Sequence, residues 1–281
     1  MQTLRDLPAL RTAVDALKSD GKPLALVPTM GALHDGHMAL VEEARRHGRH
    51  VVVSIFVNPR QFGPNEDLDA YPRREAKDAQ MLAAAGVDIL WMPPVDVMYP
   101  VGYATNIGVS GVSEGLDGAA RPGHFDGVST VVAKLFNQVR PDVAIFGEKD
   151  YQQLAVIRRM VIDLNQGIDI LGMPTQRAED GLALSSRNAY LSEEERKAAL
   201  ALPRALGEAK RQIEKGDAVE GALAKAVATL AAHGFDPIDY VALCDAATLQ
   251  PMAVLDRPAR LLGAAKLGKT RLIDNIAVDP A

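Results

Sequence analysis

Two histidines three residues apart, His34 and His37, with Gly36 between them, present paired imidazoles on a backbone with little bulk. They stand in Leu24 to Arg46, LALVPTMGALHDGHMALVEEARR. A short apolar run of strand character, Leu24 to Val27, stops at Pro28. The loop Thr29 to Leu33 then leads into a helical pattern carried by Met38, Leu40, Val41 and Ala44. Both imidazoles therefore fall on the first turn of a helix, where unpaired N–H groups and the positive end of the dipole favour anions. Phosphate is the ligand this suits, and Gly31 and Gly36 allow it close approach. In isolation the same residues also fit a surface pair. A zinc pair lacks both a His-Glu-x-x-His pattern and a cysteine cluster.

Three other segments carry polar groups of the right kind. Phe146-Gly147-Glu148-Lys149-Asp150 follows a strand and can set an ammonium against phosphate oxygens. A solvated Glu-Lys pair explains it equally well, and Asp150 with Gln153 has the spacing of a helix cap. Leu184-Ser185-Ser186-Arg187-Asn188 combines hydroxyls with a guanidinium fork, a set suited to a triphosphate. Phe56 to Phe62 holds Asn58 and Gln61, neutral amides that orient a carboxylate without blunting it as a nucleophile. Gly263 to Thr270 matches the P-loop pattern letter for letter, but the following RLIDNIAVDPA alternates like a strand. The pattern there predicts a hairpin turn, not a phosphate cradle.

The elements that must position these groups alternate along the chain. A helix is predicted over Leu4 to Ser19, and strands at Leu24 to Val27, His50 to Val57, Val87 to Met92, Val143 to Phe146 and Ile168 to Leu171. Helices fall between them, at Arg73 to Ala85, Gly127 to Gln138 and Tyr151 to Asn165. Val97 to Gly123 reads as short strands or a flap. This is an α/β rhythm, a Rossmann-like doubly wound parallel sheet, whose ligands lie beyond the carboxyl ends of the strands. Gly172 to Gly181 reads as a joint. Past it come a capping box at Ser192, two helices separated by Gly216-Asp217, and three strands near Tyr240, Arg260 and Arg271. The expected division is residues 1–174 and a smaller α+β lid domain at 175–281.

Composition sets the outer limits. Over 281 residues, 48% hydrophobic and 24% charged side chains are ordinary for a soluble globular chain. A net charge of −5 gives no basic face for nucleic acid. One cysteine, Cys244, excludes an internal disulfide and suits a reducing compartment. Neither a signal peptide nor a membrane span is legible, so a cytoplasmic protein is expected.

Pro28 to Leu33 with His34-Asp35-Gly36-His37, Gly147 to Gln153, Leu184 to Asn188 and Phe56 to Phe62 resemble the motifs of the pantoate-β-alanine ligase (pantothenate synthetase) family. His-x-Gly-His is shared more widely with nucleotidyltransferases and class I aminoacyl-tRNA synthetases. The resemblance implies condensation of pantoate with β-alanine through a pantoyl adenylate, with ATP as substrate and Mg²⁺ travelling with it. It implies ATP contacts from Met30, Gly31, Ala32, Leu33, His34, Asp35, Gly36, His37, Gly147, Glu148, Lys149, Asp150, Gln176, Leu184, Ser185, Ser186 and Arg187. Gln61, Gln153 and Asn58 are the expected contacts to pantoate and β-alanine. Positive groups at His34, His37, Lys149 and Arg187, with Ser186, are the expected catalytic set, His37 being the proton donor. The family likeness also implies a homodimer. Leu184 and Gln176 depart from the expected methionine and valine, at positions that contribute backbone contacts. Arg121-Pro122-Gly123-His124-Phe125 also matches the family, with no role evident for His124. Other readings are a nucleotidyltransferase that keeps AMP on its product, and a non-catalytic nucleotide-binding module.

Overall fold

The computed structural model describes residues 1–64 and 66–280. Its first sheet has six parallel strands in the order β1-β4-β3-β2-β5-β6, from β1 (Gln2–Leu4), β2 (Leu24–Thr29), β3 (His50–Ile55), β4 (Ile89–Trp91), β5 (Val143–Gly147) and β6 (Asp169–Met173). Helix α1 (Leu7–Lys18) precedes β2, and α2 (Asp35–His47), α3 (Glu75–Ala84), the short α4 (Val95–Met98) and α5 (Leu116–Ala120), α6 (His124–Val139) and α7 (Tyr151–Asp163) follow in turn. Successive β2 residues serve opposite faces of the sheet. Leu24 and Leu26 pack with α1, α6 and α7, whereas Ala25 and Val27 pack with Val41 of α2 and Leu82 of α3. Burial on both faces is why these strands read as unbroken apolar runs.

The chain winds from β2 through β3 to β4 in one direction and from β5 to β6 in the other, so the switch lies between β2 and β5. At such a point the loops leaving two neighbouring strands part and open a crevice.

Beyond β6, α8 (Glu193–Ala198), α9 (Ala201–Glu214) and α10 (Val219–Ala232) cover an antiparallel sheet of β7 (Phe235–Asp245), β8 (Ala259–Leu267) and β9 (Thr270–Val278). This small unit has its own core, with Leu202, Leu206 and Ile213 of α9 against Leu261 and Ala265 of β8. Ser192 accepts from the Glu195 N–H and Glu195 returns the bond, completing the expected capping box.

Four expectations need correction. Gln2–Leu4 is a strand, not the start of a helix; three residues carry no period, and only pairing with β4 defines them. Val97 to Gly123 contains the end of α4, turns and the short helix α5, without strands, and Gln152 of α7 holds it by donating to Val112, Glu114 and Gly115 carbonyls. Gly172 and Met173 belong to β6 and not to the joint. The helix expected after the capping box breaks in two at Ala199-Leu200.

The P-loop look-alike is the β8–β9 hairpin. Leu267 pairs with Thr270 across Gly268-Lys269, and Gly268 takes a φ of +57° that the tight turn requires. Among the described residues no helix follows to offer N–H groups. Lys269→Ala is expected to leave the Kd for ATP within about twofold, as for an exposed side chain outside the cavity that His34 and His37 line; a tenfold weakening in calorimetry would restore the P-loop reading.

Candidate active site

His34 is the N-cap of α2: its Nδ1 accepts the Gly36 N–H at 3.1 Å. His37, one turn on, accepts the His34 N–H on its own Nδ1 at 3.4 Å. Backbone N–H groups can only donate, so each neutral ring carries its proton on Nε2. The rings lie 4.1 Å apart. Burial pushes His37 down to about 3, helped by His34 and Lys149. Burial, then Lys149, also lowers His34. In the free site the pair is therefore neutral near pH 7 and presents N–H donors, where two cationic groups were expected.

The loop before the histidines is fixed from behind. Gly31 has φ +84°, and the buried Asp78 of α3 accepts from the Ala32 and Leu33 N–H groups at 2.8 and 3.0 Å. Gly31, Ala32, Leu33 and Asp35 consequently do not line the cavity, whereas Met30, His34, Gly36 and His37 do. Asp78 has no motif around it, and its role was not legible in the sequence.

Across the switch, β5 ends at Gly147 and a 3₁₀ turn carries Glu148, Lys149 and Asp150. Lys149, Asp150 and Gln153 line the same cavity as the histidines. Asp150 makes no side-chain cap to α7, contrary to its spacing, which leaves its carboxylate facing the crevice. Glu148 turns away and pairs with Arg260 of β8 at 2.7 Å.

Gln61 sits in the 3₁₀ turn Pro59–Gln61 after β3 and lines the cavity. Asn58 does not. It is 1% exposed, donating to Gln61 Oε1 at 3.0 Å and to the Gly127 carbonyl at 3.1 Å, and accepting from Tyr99 Oη at 2.8 Å. Because Asn58 donates to Oε1, the Gln61 amide must point its NH₂ the other way, where it meets Met30 Sδ at 3.3 Å.

The Ser-Ser-Arg segment reaches this cavity from the joint. Leu184, Ser185, Ser186, Arg187 and Gln176 all line it. Arg187 Nε and Nη2 clasp Asp67 at 3.0 and 2.8 Å, Ser186 Oγ is 3.1 Å from Tyr71 Oη, and Tyr190 Oη donates to the Ala70 carbonyl at 3.2 Å. Burial works against the Asp67 charge, yet Arg187 holds its carboxyl below the usual carboxylate range. Asp67 and Tyr71 are residues that sequence reasoning missed.

The cavity measures about 220 Å³ and adjoins a larger one of about 740 Å³ between the first sheet's loops and the β7–β9 unit. Gln61, Arg121, His124, Lys149, Gln153 and Arg187 border both. Phe56, Val128, Val131, Val132 and Leu135 make one wall of the smaller cavity apolar.

Neutral donors at a helix start, an ammonium across the switch and an arginine carried by the segment after β6, all on one crevice, are what a doubly wound enzyme needs to take a polyphosphate and a small organic acid together. A family model described as Pantoate-beta-alanine ligase matches residues 2–277. The chain belongs to that family. It is 67% identical over 281 residues to a pantothenate synthetase of Rhizorhabdus wittichii, covering 100% of both chains. The crystal structure of pantothenate synthetase from Thermus thermophilus superposes with a TM-score of 0.94 at 48% identity, covering 100% of each chain. That of pantoate-beta-alanine ligase from Francisella tularensis, complexed with beta-gamma ATP and beta-alanine, gives 0.82 at 35% identity over 98% of this chain and 97% of the other.

Proposed function

We propose that this chain joins pantoate to β-alanine at the expense of ATP, through a pantoyl adenylate. One observation carries the reading: the His34–His37 pair, Lys149 and Ser185 to Arg187 face a single cavity with Gln61, Gln153 and an apolar wall. That wall suits the branched, dimethylated carbon of pantoate, while Gln61, its Oε1 held by Asn58 and its NH₂ beside Met30 Sδ, has an amide N–H to offer a substrate oxygen.

In the first step the pantoate carboxylate attacks the α-phosphorus of ATP, the bond to the bridging oxygen breaks, and pyrophosphate leaves. Charge builds on the phosphoryl oxygens, and donors already in place lower that barrier without reorganisation. His34 and His37 give Nε2–H bonds, Lys149 and Arg187 give charge, and Ser185 and Ser186 give short hydroxyl bonds. His37 acts as a hydrogen-bond donor, its basicity being too low for it to hold a second proton near pH 7. In the second step the β-alanine amine attacks the acyl carbon, AMP departs, and the amine proton is lost to solvent or product. ATP enters as its Mg²⁺ complex, the ion held mostly by phosphate and water.

The adenylate hydrolyses readily, so closure over it matters. The unit from about residue 175 onward acts as the lid, and residues 1–174 as the base. The working form is taken to be a homodimer in the cytoplasm, where the buried thiol of Cys244 stays reduced.

The test is exchange of labelled pyrophosphate into ATP with pantoate present and β-alanine absent. Exchange is expected, with AMP released once β-alanine is added. Absence of exchange, or a product that retains AMP, would overturn the reading.

A further inference from the structure

His124 lines the crevice, yet nothing above uses it. It is the first residue of α6, 9% exposed, and its ring bonds at both nitrogens. Nδ1 lies 2.8 Å from the Gln61 carbonyl, which can only accept, so the proton resides there. Nε2 lies 3.0 Å from Arg121 Nη1, which can only donate, so that nitrogen is the bare one. Arg121 is in turn clasped by Glu66, at 2.6 Å from both Nε and Nη2, and sends a 3.3 Å bond of its own to the Gln61 carbonyl. This tautomer is the opposite of the one His34 and His37 adopt. With both nitrogens committed, the ring has no polar atom left for a substrate.

We infer that His124, locked as the Nδ1–H tautomer by Arg121, is a positioning residue that sets the backbone of Gln61 and thereby aims its amide at the substrate acid. The inference rests on the reading of Gln61 as a pantoate contact. Gln61 is held at two further points: its N–H donates to the Asn58 carbonyl at 3.3 Å and its Oε1 accepts from Asn58, which leaves its NH₂ at the cavity beside Met30 Sδ. Its carbonyl is the one point fixed from α6 rather than from its own turn. Helix and turn are pressed together there, since a Cβ on Gly127 would come within 2.2 Å of the Arg60 carbonyl. A donor at the start of α6 is thus rigidly placed, and small errors in aim at a substrate acid are amplified into lost binding.

The test is the pantoate-dependent pyrophosphate exchange of His124 variants, with KM for pantoate and for ATP measured separately. An asparagine amide nitrogen sits where Nδ1 does, whereas a glutamine places its amide near Nε2. His124→Asn is expected to stay within about threefold of the native KM for pantoate, as one donor is retained. His124→Gln and His124→Phe are expected to raise it about 10- to 100-fold, with KM for ATP nearly constant, because the half-buried Gln61 carbonyl then loses its 2.8 Å donor and keeps only the longer bond from Arg121. If the phenylalanine variant does not fold, the contrast between asparagine and glutamine decides alone. Equal behaviour of those two, or both KM values rising together, would show a merely structural role and overturn the inference. Loss of exchange in the native protein would instead remove the assigned reaction and is read separately.

Discussion

Lys149→Ala is expected to slow pantoate-dependent pyrophosphate exchange by about 10²- to 10³-fold, the range for removing one preorganised donor from a developing oxyanion. Thermal unfolding should hardly move. The reason lies in how the residue is held. Asn275 of β9, 3% exposed, donates to the Glu148 and Lys149 carbonyls at 2.9 and 2.8 Å. Those bonds belong to the backbone and survive the substitution. Among the described residues the Lys149 ammonium has no ion-pair partner, and it borders both cavities. Truncation therefore removes a cation that the folded chain does not otherwise need. Near a surface, a unit charge about 4 Å from a phosphoryl oxygen is worth roughly 4 kcal/mol at an effective dielectric of 20, enough to account for the upper end of the loss. Single-turnover rates would report it directly. A variant that exchanges pyrophosphate within about tenfold of the native rate would remove Lys149 from the chemistry, since one decade is only about 1.4 kcal/mol.

The strands that carry the site were legible because both of their faces are buried, which writes a continuous apolar run into Leu24 to Val27 and Val143 to Phe146. The start of α2 was legible for a related reason, the change of period after Gly36. What stayed hidden depends on partners remote in sequence. Asp78 looks like any helix acid, and only the fold brings it under Ala32 and Leu33. Asn58 shows the opposite failure. Its type suggested a ligand contact, but its side chain is spent on Gln61, Gly127 and Tyr99, so it acts one layer behind the cavity. The histidines line the cavity, but the charge expected of them is missing in the free site, because desolvation is a property of the packed molecule and leaves no mark in the residue order.

Arg187→Ala is expected to lower exchange by at least about 10³-fold, the lower end of what an arginine contributes when it meets charge developing on a transferring phosphoryl group. Unlike Lys149, Arg187 is already engaged: its fork holds Asp67, and its guanidinium carbon lies 5.8 Å from the centre of the Tyr71 ring. Triphosphate must therefore win the guanidinium from a carboxylate that imitates it in charge and geometry. The Ser186–Tyr71 and Tyr190–Ala70 bonds keep the segment docked meanwhile, so the exchange of partners needs only local movement. Asp67→Asn separates the two roles of that carboxylate. If it merely occupies Arg187 before the nucleotide arrives, removing its charge should lower KM for ATP a fewfold, about 1 kcal/mol of competition, while leaving the chemical rate intact. A higher KM together with a slower single turnover would mean that Asp67 stays beside Arg187 and aims it during the reaction. Either way, Arg187→Ala in the Asp67→Asn background should cost less than in the native chain only if the two side chains act as a pair, because coupling between neighbours appears as non-additivity in such a cycle.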